Sequence, residues 1–346
     1  MSQPFFSIVM PAYNAQHSIG MTIDSILQQE WSDYELIIIN DGSKDATEKI
    51  IRSYIEKDQR IKSQTIENNG PGNARNLGIK MATGKYLYLM DSDDGLPQGA
   101  LKQYAQILVN DQPDLIISSY LLNVMDNAEI IETKYVKAPN IFFKTNKEFL
   151  FNLYPLMNKQ LMYVIWNKVY RMDIIKDKKI VFPQYSSCED RLFNIRYFHY
   201  AEKVKVIDKE LYQYSFDGKA SLTNRFLPNK FETFVEFYKE LKELVSTDLD
   251  GFSALFLKGV MSCIIPIHSK DCPFSFKEKL AYIKKVVNHP EVVKAVEISK
   301  KDTAIRRVIF MLFSMRSSIL IYANSKIMYG VSNASPKLIE KLKGNF

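Results

Sequence analysis

A chain of 346 residues is long for one small core and fits a large α/β domain followed by an extension. Apolar residues at 46% and charged residues at 25% exclude a mostly disordered chain, and the three cysteines, Cys188, Cys263 and Cys272, form no CxxC pair and exclude a disulfide framework or zinc knuckle. The formal charge of +7 lies wholly in the tail, because residues 300–346 hold nine of the 46 Lys+Arg but only Asp302 and Glu340 of the 39 acids. Met1 opens directly into SQPFFSIVMPAYN, without a basic segment, a long apolar stretch and a small-residue cleavage site, so no secretory signal is predicted and the expected location is the cytoplasm. Ser7 to Met10 then reads as a buried strand stopped by Pro11, residues 19–27 as a helix, and Glu35 to Asn40 as a second strand ending on Asp41-Gly42. Residues 45–55 read as a helix, 61–66 as a strand, 71–81 as a helix, 86–90 as a strand ending on DSDD, 101–109 as a helix and 115–119 as a strand. This alternation predicts a largely parallel, doubly wound, Rossmann-like α/β sheet. Residues 123–160 have no clear pattern, and from about Phe226 the pattern turns helical, which puts a domain boundary at 225/226.

In doubly wound sheets ligands bind beyond the carboxyl ends of the strands, where loops converge and helix N-termini point at the crevice. The polar motifs fall at those ends: Pro11-Ala12-Tyr13-Asn14 after the first strand, Asp41-Gly42-Ser43 after the second and Asp91-Ser92-Asp93-Asp94 after the fourth. Asp91 and Asp93 on one tight turn can reach a common cleft, and mutually repelling carboxylates suit a hard cation, Mg²⁺ or Mn²⁺, that also holds phosphate oxygens. Asp41 offers an acceptor for a nucleobase N–H or a ribose hydroxyl. The glycine-containing loop Asn69-Gly70-Pro71-Gly72-Asn73-Ala74-Arg75-Asn76 opens a helix, with Arg75 able to approach a diphosphate. Each motif alone also fits a plain role: a solvated acidic turn, an Asp-Gly turn or a helix entry. Neither a G-x-x-x-x-G-K-[ST] loop nor a G-x-G-x-x-G fingerprint is present, which disfavours a P-loop nucleotidase and a dinucleotide oxidoreductase.

SIVMPAYN, NDGSKDAT, NNGPGNARNLGIKMATGKYLYLMDSDD, WNKVYR and CEDRLF together resemble glycosyltransferase family 2, the inverting enzymes of GT-A fold, over residues 5–220. The resemblance implies a catalytic domain over 1–225 and a variable helical region over 226–346. It implies that Asp41 contacts the donor base, usually uracil, in a pocket shaped by Pro11, Ala12 and Tyr13. Arg75 and Gly72 would lie by the nucleotide, Asp91 by ribose or diphosphate, and Asp93 on the metal. Asp190 would be the base and Glu189 would support it or touch the acceptor. Asn40, where the family often has aspartate, and Gln16-His17, in a stretch that often carries glutamate, depart from its pattern.

The implied activity moves a sugar from a nucleotide-sugar, UDP-linked by preference, to a hydroxyl of a glycan or lipid-linked acceptor in bacterial exopolysaccharide, capsule or cell-wall polymer synthesis. Two alternatives stand beside it, a sugar-1-phosphate nucleotidyltransferase and a non-catalytic glycan- or nucleotide-binding protein. Residues 123–160 and 212–224 are candidates for closure over the sugar. Ile305, Val308, Ile309, Leu312, Phe313, Ile319, Leu320 and Ala323 keep helical spacing and predict one basic amphipathic helix. It suits peripheral contact with anionic membrane at the cytoplasmic face, or packing on the protein or in a homodimer; Arg316 interrupts it before it reaches spanning length. No nucleic-acid partner is expected, since no recognised motif accompanies the tail charge.

Overall fold

The computed structural model describes residues 3–126, 129–216 and 225–334. The chain divides into two compact units, Met1–Asp217 and Gly218–Phe346.

The first unit is built on one mixed sheet of nine strands. Its first half is the predicted parallel winding: β1 (Phe6–Ala12), α1 (Ile19–Leu27), β2 (Tyr34–Asn40), α2 (Thr47–Ile55), β3 (Ile61–Thr65), α3 (Pro71–Met81) and β4 (Tyr86–Leu89). β1 pairs in parallel with β2 and β4, and β2 with β3. Every residue of β1, β2 and β4 is buried, which is why these strands read as unbroken apolar runs rather than alternating ones. After α4 (Ala100–Asn110) come β5 (Leu115–Asp126), β6 (Glu129–Val136), β7 (Ile141–Phe143), α5 (Asn146–Phe151), α6 (Leu153–Asn158), β8 (Lys168–Arg171), α7 (Met172–Asp177), α8 (Glu189–Phe198) and β9 (Val204–Phe216). The sheet runs β3-β2-β1-β4-β8-β5-β9-β7, with β6 added to β5. β8 is antiparallel to both β4 and β5, so the second half is mixed.

Glu35, at the start of β2, ties the amino ends of the strands together. Its buried carboxylate accepts from the Ser7 hydroxyl at 2.6 Å, the Thr83 N–H at 2.7 Å and the Lys62 ammonium at 2.7 Å. Burial alone would raise its pKa, but these donors outweigh burial and hold it at about 2.

The second unit is helical: α9 (Lys230–Leu244), α10 (Leu249–Ile264), a 3-10 turn over Ile265–His268, α11 (Phe276–Val287), α12 (Pro290–Ile298), α13 (Ala304–Ser314) and α14 (Ser318–Ala334). Leu249–His268 is long and apolar enough to cross a membrane by composition, yet it is the core of this unit, with 72% of its apolar window buried. It packs against α9, α12 and α13, and Phe256 stacks on Tyr238 at 4.0 Å. The single amphipathic helix expected over 305–323 is instead two helices. Arg316 adopts a left-handed conformation at φ 48°, which an L-residue cannot propagate as helix, and α13 stops before it. The expected apolar stripe is divided too: Ile309 and Phe313 are buried, while Val308, Ile319 and Leu320 are exposed.

Candidate active site

At the carboxyl ends of β1 and β2 two loops lock onto each other. The Asn14 N–H donates to the Ser43 hydroxyl and its side-chain oxygen accepts the Lys44 N–H at 2.8 Å; the Gln16 side chain accepts the Ala46 N–H at 3.0 Å. Asn40, the departure from the usual aspartate, accepts the Ser43 N–H at 3.1 Å and donates to Thr65. Both departures therefore serve the loop framework. Gly42 holds φ 73°, and a Cβ there would stand 2.9 Å from the Asn68 nitrogen, so the turn requires glycine. Asp41 is 3% exposed. Its two oxygens accept the Asn69 and Gly70 N–H groups, each at 2.9 Å, and so fix the entry to α3. Pro11 and Ala12 are buried at the end of β1, whereas Tyr13 next to them is 51% exposed. A separate cavity of about 410 Å³ beside α2, lined by Asn40, Glu48, Ile51, Arg52, Ser63 and Thr65, involves none of the candidate residues.

One guanidinium gathers three carboxylates from two motifs. Arg75, in the second turn of α3 and buried, donates to Asp190 at 3.0 Å and to Asp91 at 2.8 Å, and lies 3.6 Å from Glu189. Burial would lower its pKa, but the charges of Asp190, Asp91 and Glu189 prevail and raise it. The next residue, Asn76, clamps the segment before α8 with a reciprocal pair: its amide donates to the Phe182 carbonyl and accepts the Phe182 N–H, both at 2.8 Å. Gly72 makes this approach feasible, since a Cβ there would lie 3.3 Å from the Pro183 carbonyl oxygen and 3.5 Å from Glu189 Cγ.

Glu189 and Asp190 occupy the first turn of α8, where the helix dipole favours carboxylates. Cys188 ahead of them is left-handed at φ 66°, a strained position for a residue with a Cβ and one that turns the chain sharply into the helix. Asp190 is pushed up to about 7: burial is the main cause, Arg75 opposes it, and Glu189 and Asp91 add to it. Behind it Lys168 is fully buried, with its ammonium donating to the carbonyls of Leu161 and Val164 and to Asn167. Burial drives the Lys168 pKa well down, against the pull of Asp190.

The DSDD turn is held from two sides. Thr22 of α1 donates to the Ser92 and Asp94 carbonyls at 3.0 and 2.8 Å, and Ser25 accepts the Leu96 N–H. From β9, Tyr212 donates to the Asp94 carboxylate at 2.6 Å while its oxygen accepts the Asp91 N–H, and the Ser215 N–H also reaches Asp94. Asp94 is therefore the buried anchor of the turn, and burial with Asp93 and Asp91 nearby drives its pKa well up. Asp93 is exposed and Asp91 partly so. Trp166 stacks on Tyr212 at 4.5 Å and Tyr214 at 5.1 Å, a rigid backing for β9.

Of the residues singled out in sequence, Arg75, Asp91, Glu189 and Asp190 meet directly, and Gly72 borders Glu189. Asp93 lies two residues from Asp91 on the same turn, while Pro11, Ala12, Tyr13 and Asp41 line the neighbouring strand ends. Sequence reasoning passed over Asn76, Lys168, Asp94 and Tyr212. Asn76 adjoins a charged residue inside a helix and Lys168 sits in an apolar strand, both polar groups that need dedicated partners. Tyr212 has no comparable local signal. The segment proposed for closure over 123–160 holds the end of β5, then β6, β7, α5 and α6; residues 217–224 of the second segment lie outside the described residues, as do 335–346 of the tail.

A DxD turn at a strand end of a Rossmann-like sheet, met by an arginine of α3 and an acidic pair of α8, is an arrangement that suits a nucleotide-dependent transferase. Residues 7–177 match the sequence profile of Glycosyl transferase family 2, and through this segment the chain belongs to glycosyltransferase family 2. The chain is 26% identical over 302 residues to the glycosyltransferase EpsJ of Bacillus subtilis, covering 83% of this chain and 87% of EpsJ. It is 26% identical over 321 residues to the poly(ribitol-phosphate) beta-N-acetylglucosaminyltransferase TarS of Staphylococcus aureus, covering 85% of this chain but about half, 51%, of TarS. The crystal structure of TarS residues 1–349 with UDP-GlcNAc superposes with a TM-score of 0.67 at 20% identity, over 94% of this chain and 91% of the other, and so shares the fold. Family membership decides for glycosyl transfer over nucleotidyl transfer.

Proposed function

We propose that this glycosyltransferase is an inverting enzyme of GT-A type that moves a sugar from a UDP-sugar to a hydroxyl of a glycan or lipid-linked acceptor in bacterial surface-polymer synthesis. The observation that carries the reading is the Arg75 hub, which holds a carboxylate of the DxD turn, Asp91, and the first-turn carboxylate of α8, Asp190, on one guanidinium. Donor-side and acceptor-side groups are thereby kept within one side chain's reach. UDP-GlcNAc is the first donor to test, because TarS is named for N-acetylglucosamine transfer and its structure holds that donor. UDP-GlcNAc is α-linked and the TarS product is named beta, which supports inversion.

Asp190 would take the proton of the acceptor hydroxyl as it attacks the anomeric carbon. Its elevated pKa, about 7, suits a base that must gain a proton near neutral pH. Glu189 would orient the acceptor or support Asp190. Asp41 keeps acceptor capacity beyond its two backbone bonds, since a carboxylate offers about four lone-pair sites, and with Pro11, Ala12 and exposed Tyr13 would shape the base pocket. Arg75 and the backbone around Gly72 would face the nucleotide.

The donor set fits Mn²⁺ or Mg²⁺. Asp93 is exposed and Asp91 has a second oxygen beyond its bond to Arg75, both hard ligands. Among the described residues no three His, Cys, Asp or Glu side chains gather for a metal, so the remaining ligands would be diphosphate oxygens and water. When bound, the cation would offset charge on the departing nucleoside diphosphate. The enzyme would work in the cytoplasm, peripherally at the inner face of the plasma membrane.

The test is a nucleotide-sugar panel by calorimetry and donor hydrolysis, with Mn²⁺, Mg²⁺ or EDTA, on the wild type, Asp93→Ala and Asp190→Asn. One UDP-sugar should bind in a metal-dependent way, weakly in Asp93→Ala and normally but unproductively in Asp190→Asn. Failure of every nucleotide-sugar to bind in every metal would sink the reading.

A further inference from the structure

Helix α14 buries one face and leaves an apolar face open. The face it turns inward carries Ile321 and Ser325, both fully buried, with the Ser325 hydroxyl 2.8 Å from His268 Nε2, and Tyr322, whose ring meets that of His268 at 4.8 Å. Burial, with Lys279 and Lys326 adding to it, holds His268 down at about 4, so this polar contact is neutral at physiological pH. The opposite face carries Ile319, Leu320, Ala323, Ile327 and Gly330, all exposed, with Ile319 and Ile327 at 66%. At 100° per residue these five positions fall in an arc of about 100°. α13 carries exposed Val308 and Met311, with exposed Met315 at its C-cap, spaced i, i+3 and i+7. Scattered exposed apolar side chains need no explanation, but an apolar arc along the open face of a helix that already buries its other face marks a surface made for an apolar neighbour.

Charge selects the neighbour. The exposed cations Arg307, Arg316 and Lys326 border this face, and none of the three forms an ion pair among the described residues. No Asp or Glu occurs anywhere from 303 to 339. A second copy related by a two-fold axis would set this cationic border against another like it, since the same patch faces itself across a two-fold interface. An anionic lipid surface offers acyl chains to the apolar arc and headgroup phosphates to its cationic border. We propose that α13 and α14 form an interfacial membrane-docking face, with Ile319, Leu320 and Ile327 entering the acyl boundary and Arg307, Arg316 and Lys326 meeting anionic headgroups. This gives a surface to the peripheral location proposed above, and it does not depend on the identity of the donor.

The experiment is co-sedimentation of the full chain with vesicles of phosphatidylcholine alone or mixed with phosphatidylglycerol, alongside hydrolysis of a soluble donor and light scattering for mass. The wild type should bind the mixed vesicles at least tenfold more tightly than the neutral ones. The double substitution Ile319→Glu with Ile327→Glu should abolish sedimentation, while the helical circular-dichroism signal and soluble donor hydrolysis are retained. Neutralising Arg307, Arg316 and Lys326 to Gln should weaken binding about fivefold for each charge removed. Equal or absent binding to both vesicle types overturns the proposal, and so does a dimer in solution that the Ile319→Glu, Ile327→Glu protein loses. Loss of donor hydrolysis in the wild type, with vesicle binding intact, would count against the catalytic reading alone.

Discussion

The two ends of the sheet treat their carboxylates in opposite ways. At the amino end Glu35 is surrounded by donors and held at about 2; at the carboxyl end Asp190, also desolvated, shares its guanidinium with Asp91 and Glu189 and is pushed up to about 7. β2 shows the contrast within one strand, since Glu35 at its start joins strands and Asp41 just past its end positions the loop that leads to Arg75. A carboxylate supplied with more donors than it needs is a structural fastener. One that must share a single cation with two others keeps a raised pKa, at some expense in stability.

The largest effect that would break this contrast is on turnover. Asp190→Asn should lower kcat by roughly 10³-fold while leaving the donor dissociation constant within a few-fold by calorimetry. Because the folded pKa of Asp190 lies above its ordinary value of 3.8, its ionisation costs stability above pH 7, and that cost is relieved as pH falls toward 4. The same substitution should therefore raise stability at pH 8 by about 1 to 2 kcal/mol, with the gain vanishing near pH 4 in urea titrations. Wild-type kcat/KM should fall below a midpoint near 7 through the same group. A profile flat from pH 5 to 8 would remove Asp190 from the role of base.

Removing the shared cation should come next. Arg75→Met leaves three carboxylates without their counter-ion and should cost about 3 to 5 kcal/mol, seen as a drop in Tm of roughly 10 °C. Acid should partly rescue this variant because protonation relieves the repulsion, whereas a loss independent of pH would mean that packing rather than charge is at stake. At the other end Glu35→Gln should cost about 3 kcal/mol at neutral pH. The sign is opposite: Glu35 has a depressed folded pKa, so its contribution is full above pH 4.5 and is lost as pH falls toward 2. The smallest change is Gly72→Ala, which should lower kcat several-fold by displacing the segment that carries Glu189, with little change in Tm, as steady-state assays and melting curves would read.

Sequence made the first half of the sheet legible because fully buried parallel strands are written as apolar runs such as ELIIIN and YLYLM, each closed by a polar motif. The second half was less so. β8 lies inside WNKVYR, where Lys168 is satisfied by the carbonyls of Leu161 and Val164 in the loop just before the strand and Tyr170 by Asn194 of α8, pairings that no apolar run or alternation announces. The acidic pair and the DxD turn were readable as motifs, but their meeting on Arg75 depends on contacts across more than a hundred residues. In the tail, periodicity gave apolar spacing without telling inward from outward, and the left-handed Arg316 was invisible to it.

The bond between Arg75 and Asp190 spans 115 residues, and this has a consequence during synthesis. At about 5 to 20 residues per second, α3 leaves the ribosome roughly 6 to 20 seconds before α8 follows. A nascent or truncated chain ending before α8 has the DSDD turn and Arg75 but neither Glu189 nor Asp190, and on the roles proposed above it would lack the base. Because Tyr212 and Ser215 of β9 also hold the DSDD turn, the site is complete only when β9 has followed α8.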